Sequence, residues 1–120
     1  MVSIDPLLDR MFDRNHYQCA HFTNEAWSHL VGHDLSHALD GLLLPVKDKI
    51  VDPTKIRSFL KTIPKPISPC IVFMFRRGIT PHLGVFWKGR ILHLTEDGVR
   101  YETADIATMF FTKVRYYVCR

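Results

Sequence analysis

No stretch of this 120-residue chain reaches the roughly 18 uninterrupted apolar residues that a membrane-spanning helix requires, so no membrane span is expected. There is no C-x-x-C pair either. The three cysteines, Cys19, Cys70 and Cys119, lie far apart, and their odd number leaves one over from any pairing. That speaks against a disulfide framework and predicts at least one free thiol. Basic residues are not gathered into a block: 16 Lys and Arg against 12 Asp and Glu give a net charge of +4 spread along the chain. Such a weak bias fits a nucleic acid, an anionic cell-wall polymer and simple solubility alike, solubility carrying the most weight, and no nucleic-acid partner is expected. The opening residues, "MVSIDPLLDRMFDR", carry acids where a secretory signal would carry a basic end and an apolar run. Synthesis in the cytoplasm without a signal peptide is the corresponding expectation. Repeats, low-complexity tracts and long linkers are missing too. With 47% apolar residues the chain is expected to form one domain over 1–120 around one core.

Two halves of the chain differ in period. From Ile4 to about Leu60 the pattern is helical, in "DPLLDRMFD", in Cys19 to about Val31, in "LSHALDGLLL" and in "DPTKIRSFLKTI". Phe22, Ala26 and Leu30, with Trp27 and Val31 beside them, make an apolar stripe wide enough for a core-facing helix, and Gly32 ends it. After "PKPISP" come short runs rich in branched and aromatic residues: "CIVFMF", "HLGVFW", "RILHLT", "GVRYET" and "KVRYYV". Tight hairpins are expected about Lys88 and Gly89, and about Asp97 and Gly98. Helices first and an antiparallel meander afterwards predict an α+β domain with N-terminal helices packed on one face of a C-terminal sheet.

Cys19 falls at the start of its predicted helix. Unpaired N–H groups and the helix dipole favour negative charge there, so the thiol pKa is expected to be pulled down, and the same amides could serve an oxyanion. A buried small residue is the alternative. A thiol nucleophile needs a base, and the base needs a polar group to set its tautomer. His82 opens one strand and His93 lies in the next. A two-residue turn at Lys88–Gly89 sets Val85 opposite Leu92 and leaves the histidines as a diagonal pair if they share a face.

"YQCAHFTNEAW" followed by "PCIVFMFRRGITPHLGVFWKGRILHLTEDGVRYETADIA" resembles the NlpC-type cell-wall cysteine peptidases, a papain-like family. Its members carry a cysteine at a helix start after a tyrosine, then an "H-[VL]-G-[IV]-[YF]" strand and a hairpin ending in a further polar residue. The resemblance spans roughly Asn15 to Ile106. It implies a papain-like NlpC-type fold with Cys19 as nucleophile, His82 as base and general acid, and His93 as the group orienting it. Tyr17 and Gln18 would border the substrate. The implied activity is hydrolysis of amide bonds in peptidoglycan stem peptides through a thioester, with no metal or cofactor required. Many members have "DCSG" at the cysteine; here Gln18, Ala20 and His21 stand around it, so a preference for a free amino end does not carry over. The implied setting is the cell wall, reached as a bacteriophage tail component or through a delivery apparatus.

Three other readings compete. His29, His33 and His37 are spaced by four and could line a helix face as metal ligands, but Gly32 and "GHDLS" predict a break, with Asp34 or Ser36 capping the next helix. His21 is expected to point away from the thiol. A phage tail or assembly protein with the same fold and little hydrolytic activity is the reading from another class. Acyl transfer through the same thioester is the third.

Overall fold

Helix α1, Cys19–Val31, carries Phe22, Ala26, Trp27 and Leu30 on its buried side, the stripe its 3.6-residue period predicts. In the computed structural model, which describes residues 2–120, the backbone N–H of Gln18 donates to Nδ1 of His21 (3.1 Å), tying down the turn that enters the helix. Gly32 ends it in the left-handed region (φ 84°), where the absence of a Cβ removes the steric penalty. Two shorter helices follow, α2 (Ser36–Leu39) and α3 (Pro53–Phe59), the latter capped by the Asp52 carboxylate accepting from the Lys55 N–H at 3.1 Å.

Six strands then form one sheet: β1 (Leu60–Ile63), β2 (Cys70–Phe75), β3 (His82–Trp87), β4 (Arg90–Thr95), β5 (Gly98–Glu102) and β6 (Lys113–Cys119), in the order β1-β6-β2-β3-β4-β5, with every pairing antiparallel. The chain is thus an α+β protein. Lys88 (φ 49°) and Gly89 (φ 86°) make the tight turn between β3 and β4, with Val85 opposite Leu92 as expected. Gly89 supplies its positive φ without strain, and the left-handed Lys88 carries the remaining cost.

Five features differ from the sequence-based expectation. Only Asp5–Leu7 of the first segment is helical, as a single 3₁₀ turn. The "LSHALDGLLL" segment divides into α2 and a 3₁₀ turn over Asp40–Leu43. The end of "DPTKIRSFLKTI" leaves helix α3 at Leu60 and becomes the edge strand β1, because pairing with β6 outweighs local helical period. The second hairpin turns about Glu96 and Asp97, one residue earlier than predicted, with Gly98 already paired to Thr95. Lastly, β6 does not extend the meander. The segment after β5 passes through helix α4 (Ala104–Ala107) and returns β6 to the far side of β2.

That crossover gives the sheet two covered faces. Leu83, Val85, Leu92 and Leu94 pack with α1 and α2 in the main core, while Val72, Met74 and Ile91 meet Ala107, Phe111 and Tyr116 on the other side. Strand β2, "CIVFMF", is buried at five of its six positions, as a continuous apolar run in a strand covered on both faces requires.

Candidate active site

Where β3 begins, α1 and the α4 crossover approach each other around a cavity of about 660 Å³. Cys19 and Gln18 reach it from the start of α1, His82 and His93 from the sheet, and Lys49 from the segment before α3. Alternation places Leu83 and Val85 in the main core, so His82 projects from the opposite face, where its ring stacks on Phe111 (5.7 Å between centroids, 6° between planes). Cys19 packs against the main core. Thiol and imidazole share one cavity because His82 is the first residue of its strand, at the margin of the sheet.

The two histidines form the diagonal pair that the hairpin register requires. His82 Nε2 lies 2.8 Å from His93 Nδ1, with the rings nearly perpendicular. His93 is buried, and its Nε2 lies 3.1 Å from Oε1 of Glu102. A carboxylate only accepts, so His93 must donate from Nε2 and accept at Nδ1; His82 must then donate from Nε2. Nδ1 of His82 is left with a free lone pair. Glu102 thereby sets the tautomer of both rings and leaves a base on the outermost one. Gly84 makes the close approach possible: a Cβ there would lie 2.9 Å from the Leu92 carbonyl oxygen and 3.1 Å from Cβ of His93.

Burial shapes the charges. It pushes the Cys19 thiol above its ordinary pKa, against the opposing pull of the Leu83 N–H, the Lys49 charge and the N–H groups of Ala20 and Cys19 itself. The expected lowering by the helix start is present, but it is outweighed by desolvation, the larger effect on a partly buried sulfur. The same force pushes His82 down to about 3, helped by His93 and Lys49, and lowers His93 against the upward pull of Glu102. The resting site therefore holds a neutral thiol and a neutral imidazole in one cavity. Among the hydrogen bonds of the described residues, none joins Sγ to the His82 ring. Contacts of this kind often tighten only when substrate is bound.

The remaining predicted positions divide. Gln18 is buried, lines the cavity and donates from Nε2 to the Arg14 carbonyl (2.7 Å), so it shapes the wall beside Cys19. Tyr17 stands apart from that wall: its hydroxyl donates to Glu25, which also takes a forked ion pair from Arg10 at 2.8–3.1 Å. His21 accepts from the Gln18 N–H at Nδ1 and is not among the residues that line the cavity. His29 lies on α1 with its Nε2 2.7 Å from the Ser3 carbonyl oxygen, and Gly32 breaks the helix before His33 and His37, so the three do not share one helical face. Glu102 and Lys49 were not foreseen. Glu102 was nevertheless accessible: His93 pairs with Arg100, and two residues further on the alternation returns a side chain to the same face.

No family model, no curated protein and no solved structure matches the chain. Fold and site define a class on their own terms: an α+β protein that brings a helix-start thiol and an imidazole–imidazole–carboxylate chain to one cavity.

Proposed function

We propose that the protein is a cysteine peptidase or amidase of the NlpC type, with a papain-like arrangement, that hydrolyses amide bonds in peptidoglycan stem peptides. The observation that carries this reading is the ordered chain Glu102–His93–His82, which leaves Nδ1 of His82 as an unprotonated base in the cavity that holds Cys19. Substrate binding brings Sγ and Nδ1 together. The Sγ proton passes to Nδ1 and the Sγ–C bond forms, the Leu83 and Ala20 N–H groups favouring the thiolate that attacks. Collapse breaks the C–N bond, and His82 hands the proton to the departing amine. Water then attacks the thioester, giving its proton to Nδ1 and its hydroxyl to the acyl carbon, and Sγ leaves and recovers the proton. Charge on His82 is stabilised through His93 by Glu102. The place of action is the cell wall, where a phage tail or a delivery apparatus would bring the protein to its substrate.

A second reading, a tail or assembly protein with little hydrolytic activity, draws on the raised thiol pKa and the absence of a direct bond from Sγ to His82. Mass spectrometry of muropeptides after incubation separates the two. New products bearing a free amine and a free carboxyl support hydrolysis and identify the bond. An unchanged spectrum across a panel of wall types supports the binding role.

A further inference from the structure

Apolar side chains left open to solvent gather around the candidate active site. Ile79 (59% exposed), Ile106 (52%), Met109 (62%) and Phe110 (72%) all line the cavity that holds Cys19. They come from two separate segments, Ile79 from the turn before β3 and the other three from the crossover between β5 and β6. The crossover is not a loose end: the Phe111 N–H donates to the Thr108 carbonyl (3.0 Å) and the Thr112 N–H to the Phe75 carbonyl (2.9 Å). The β4–β5 turn gives the cavity a charged rim, with Glu96, Asp97 and Arg100. A large apolar cluster held in water on one side of a reactive cavity marks a binding surface.

We infer that this wall is an apolar subsite for the acyl side of the scissile bond, additional to the contacts a stem peptide makes, so that among simple amides and esters those with an alkyl chain on the scissile carbonyl are preferred. The inference rests on the nucleophile reading above. With the carbonyl carbon at Sγ, the alkyl chain runs along Ile79, Met109 and Phe110, and the polar leaving group faces the charged rim. Burying the chain against these side chains removes apolar surface from water on both partners. An acetyl group has only a methyl to bury there.

The test is a series of p-nitrophenyl esters from acetate to octanoate. Sγ forms a bond to the acyl carbon, the C–O bond breaks, p-nitrophenolate departs with the electron pair, and water releases the acid and restores the thiol. We expect kcat/KM to rise about twofold per methylene, half-burial of each being assumed. Changing Phe110→Ser together with Met109→Ser should cut the octanoate-to-acetate ratio at least about fivefold, on the same basis. Met11→Ser, at an equally exposed apolar position outside the cavity, should leave that ratio unchanged. A flat series with acylation of Cys19 seen by intact mass overturns the inference and leaves the nucleophile in place. Failure of every ester to acylate Cys19 overturns both. A flat series together with a dimer that Phe110→Ser dissociates assigns the wall to self-association, and also overturns the inference.

Discussion

His93 reaches Glu102 diagonally across the β4–β5 pairing with 3.1 Å between Nε2 and Oε1, and this one contact determines which nitrogen of His82 can act as a base. Glu102→Gln removes that control, because an amide can donate to Nε2 as readily as accept from it. Amide hydrolysis should fall by roughly 10²-fold, and the imidazole nitrogen resonances of His82 and His93 should report a changed tautomer. Unchanged turnover would remove Glu102 from the chain.

Cys19→Ala should reduce cleavage of purified peptidoglycan to background with the circular dichroism spectrum preserved, since one sulfur is lost from a partly buried position. Equal cleavage by the alanine variant would exclude Cys19 as the nucleophile.

The thiol titrates high because burial outweighs the neighbouring donors. Thiolate absorbance near 240 nm, as the difference between wild type and Cys19→Ser, should therefore develop only above the ordinary thiol range. Alkylation of Cys19 in the free protein should accelerate as pH rises. A thiolate already present at pH 6 would contradict the neutral pair.

His82, pushed down to about 3 by burial, stays neutral in the fold while its unfolded form takes up a proton below about 6.5. The folded pKa is depressed, so this contribution to stability is complete above about 6.5 and declines as pH falls towards 3. Urea midpoints measured from pH 7 to pH 4 should fall, and His82→Gln should flatten part of that slope. Parallel curves for the two proteins would place the acid sensitivity elsewhere.

Tyr17→Phe separates wall from framework. Its hydroxyl belongs to Glu25 and Arg10, so its loss should cost about 1–2 kcal/mol of stability. KM for peptide substrates should change little. A large rise in KM without loss of stability would return Tyr17 to the substrate.

Gly84→Ala tests the spacing between the histidine strands. The added Cβ meets a backbone oxygen at 2.9 Å, which can yield only by moving β4. A loss of about 1–3 kcal/mol is expected, with a fall in activity as His93 is displaced. Full retention of both would show that the strands have room to spare.

Local pattern in the chain was enough to reveal helix α1, strands β2 to β6 and the turn at Lys88–Gly89, and it drew attention to Cys19, His82 and His93, which the fold brings to one cavity. These depend on period, on turn chemistry and on side-chain type, all of which act over a few residues. Leu60–Ile63 escaped that logic, since its strand exists through pairing with Leu60's partner Cys119 and its neighbours at the far end of the chain. The crossover escaped it as well. Nothing local indicates that "ADIATMFFT" will cover the second face of the sheet and set Phe111 on His82.

Charge state belongs to the folded chain alone. A helix start promises a stabilised thiolate from its own few amides, but desolvation is the summed effect of every segment packed around Sγ, and here it outweighs them. Residue types and spacing singled out Cys19 at a helix start, and the resemblance assigned it the role of nucleophile with His82 and His93. The carboxylate that orients them, the commitment of Tyr17 to Glu25 and the apolar wall beside the site arise from contacts between distant segments, and burial and register exist only once those segments have met.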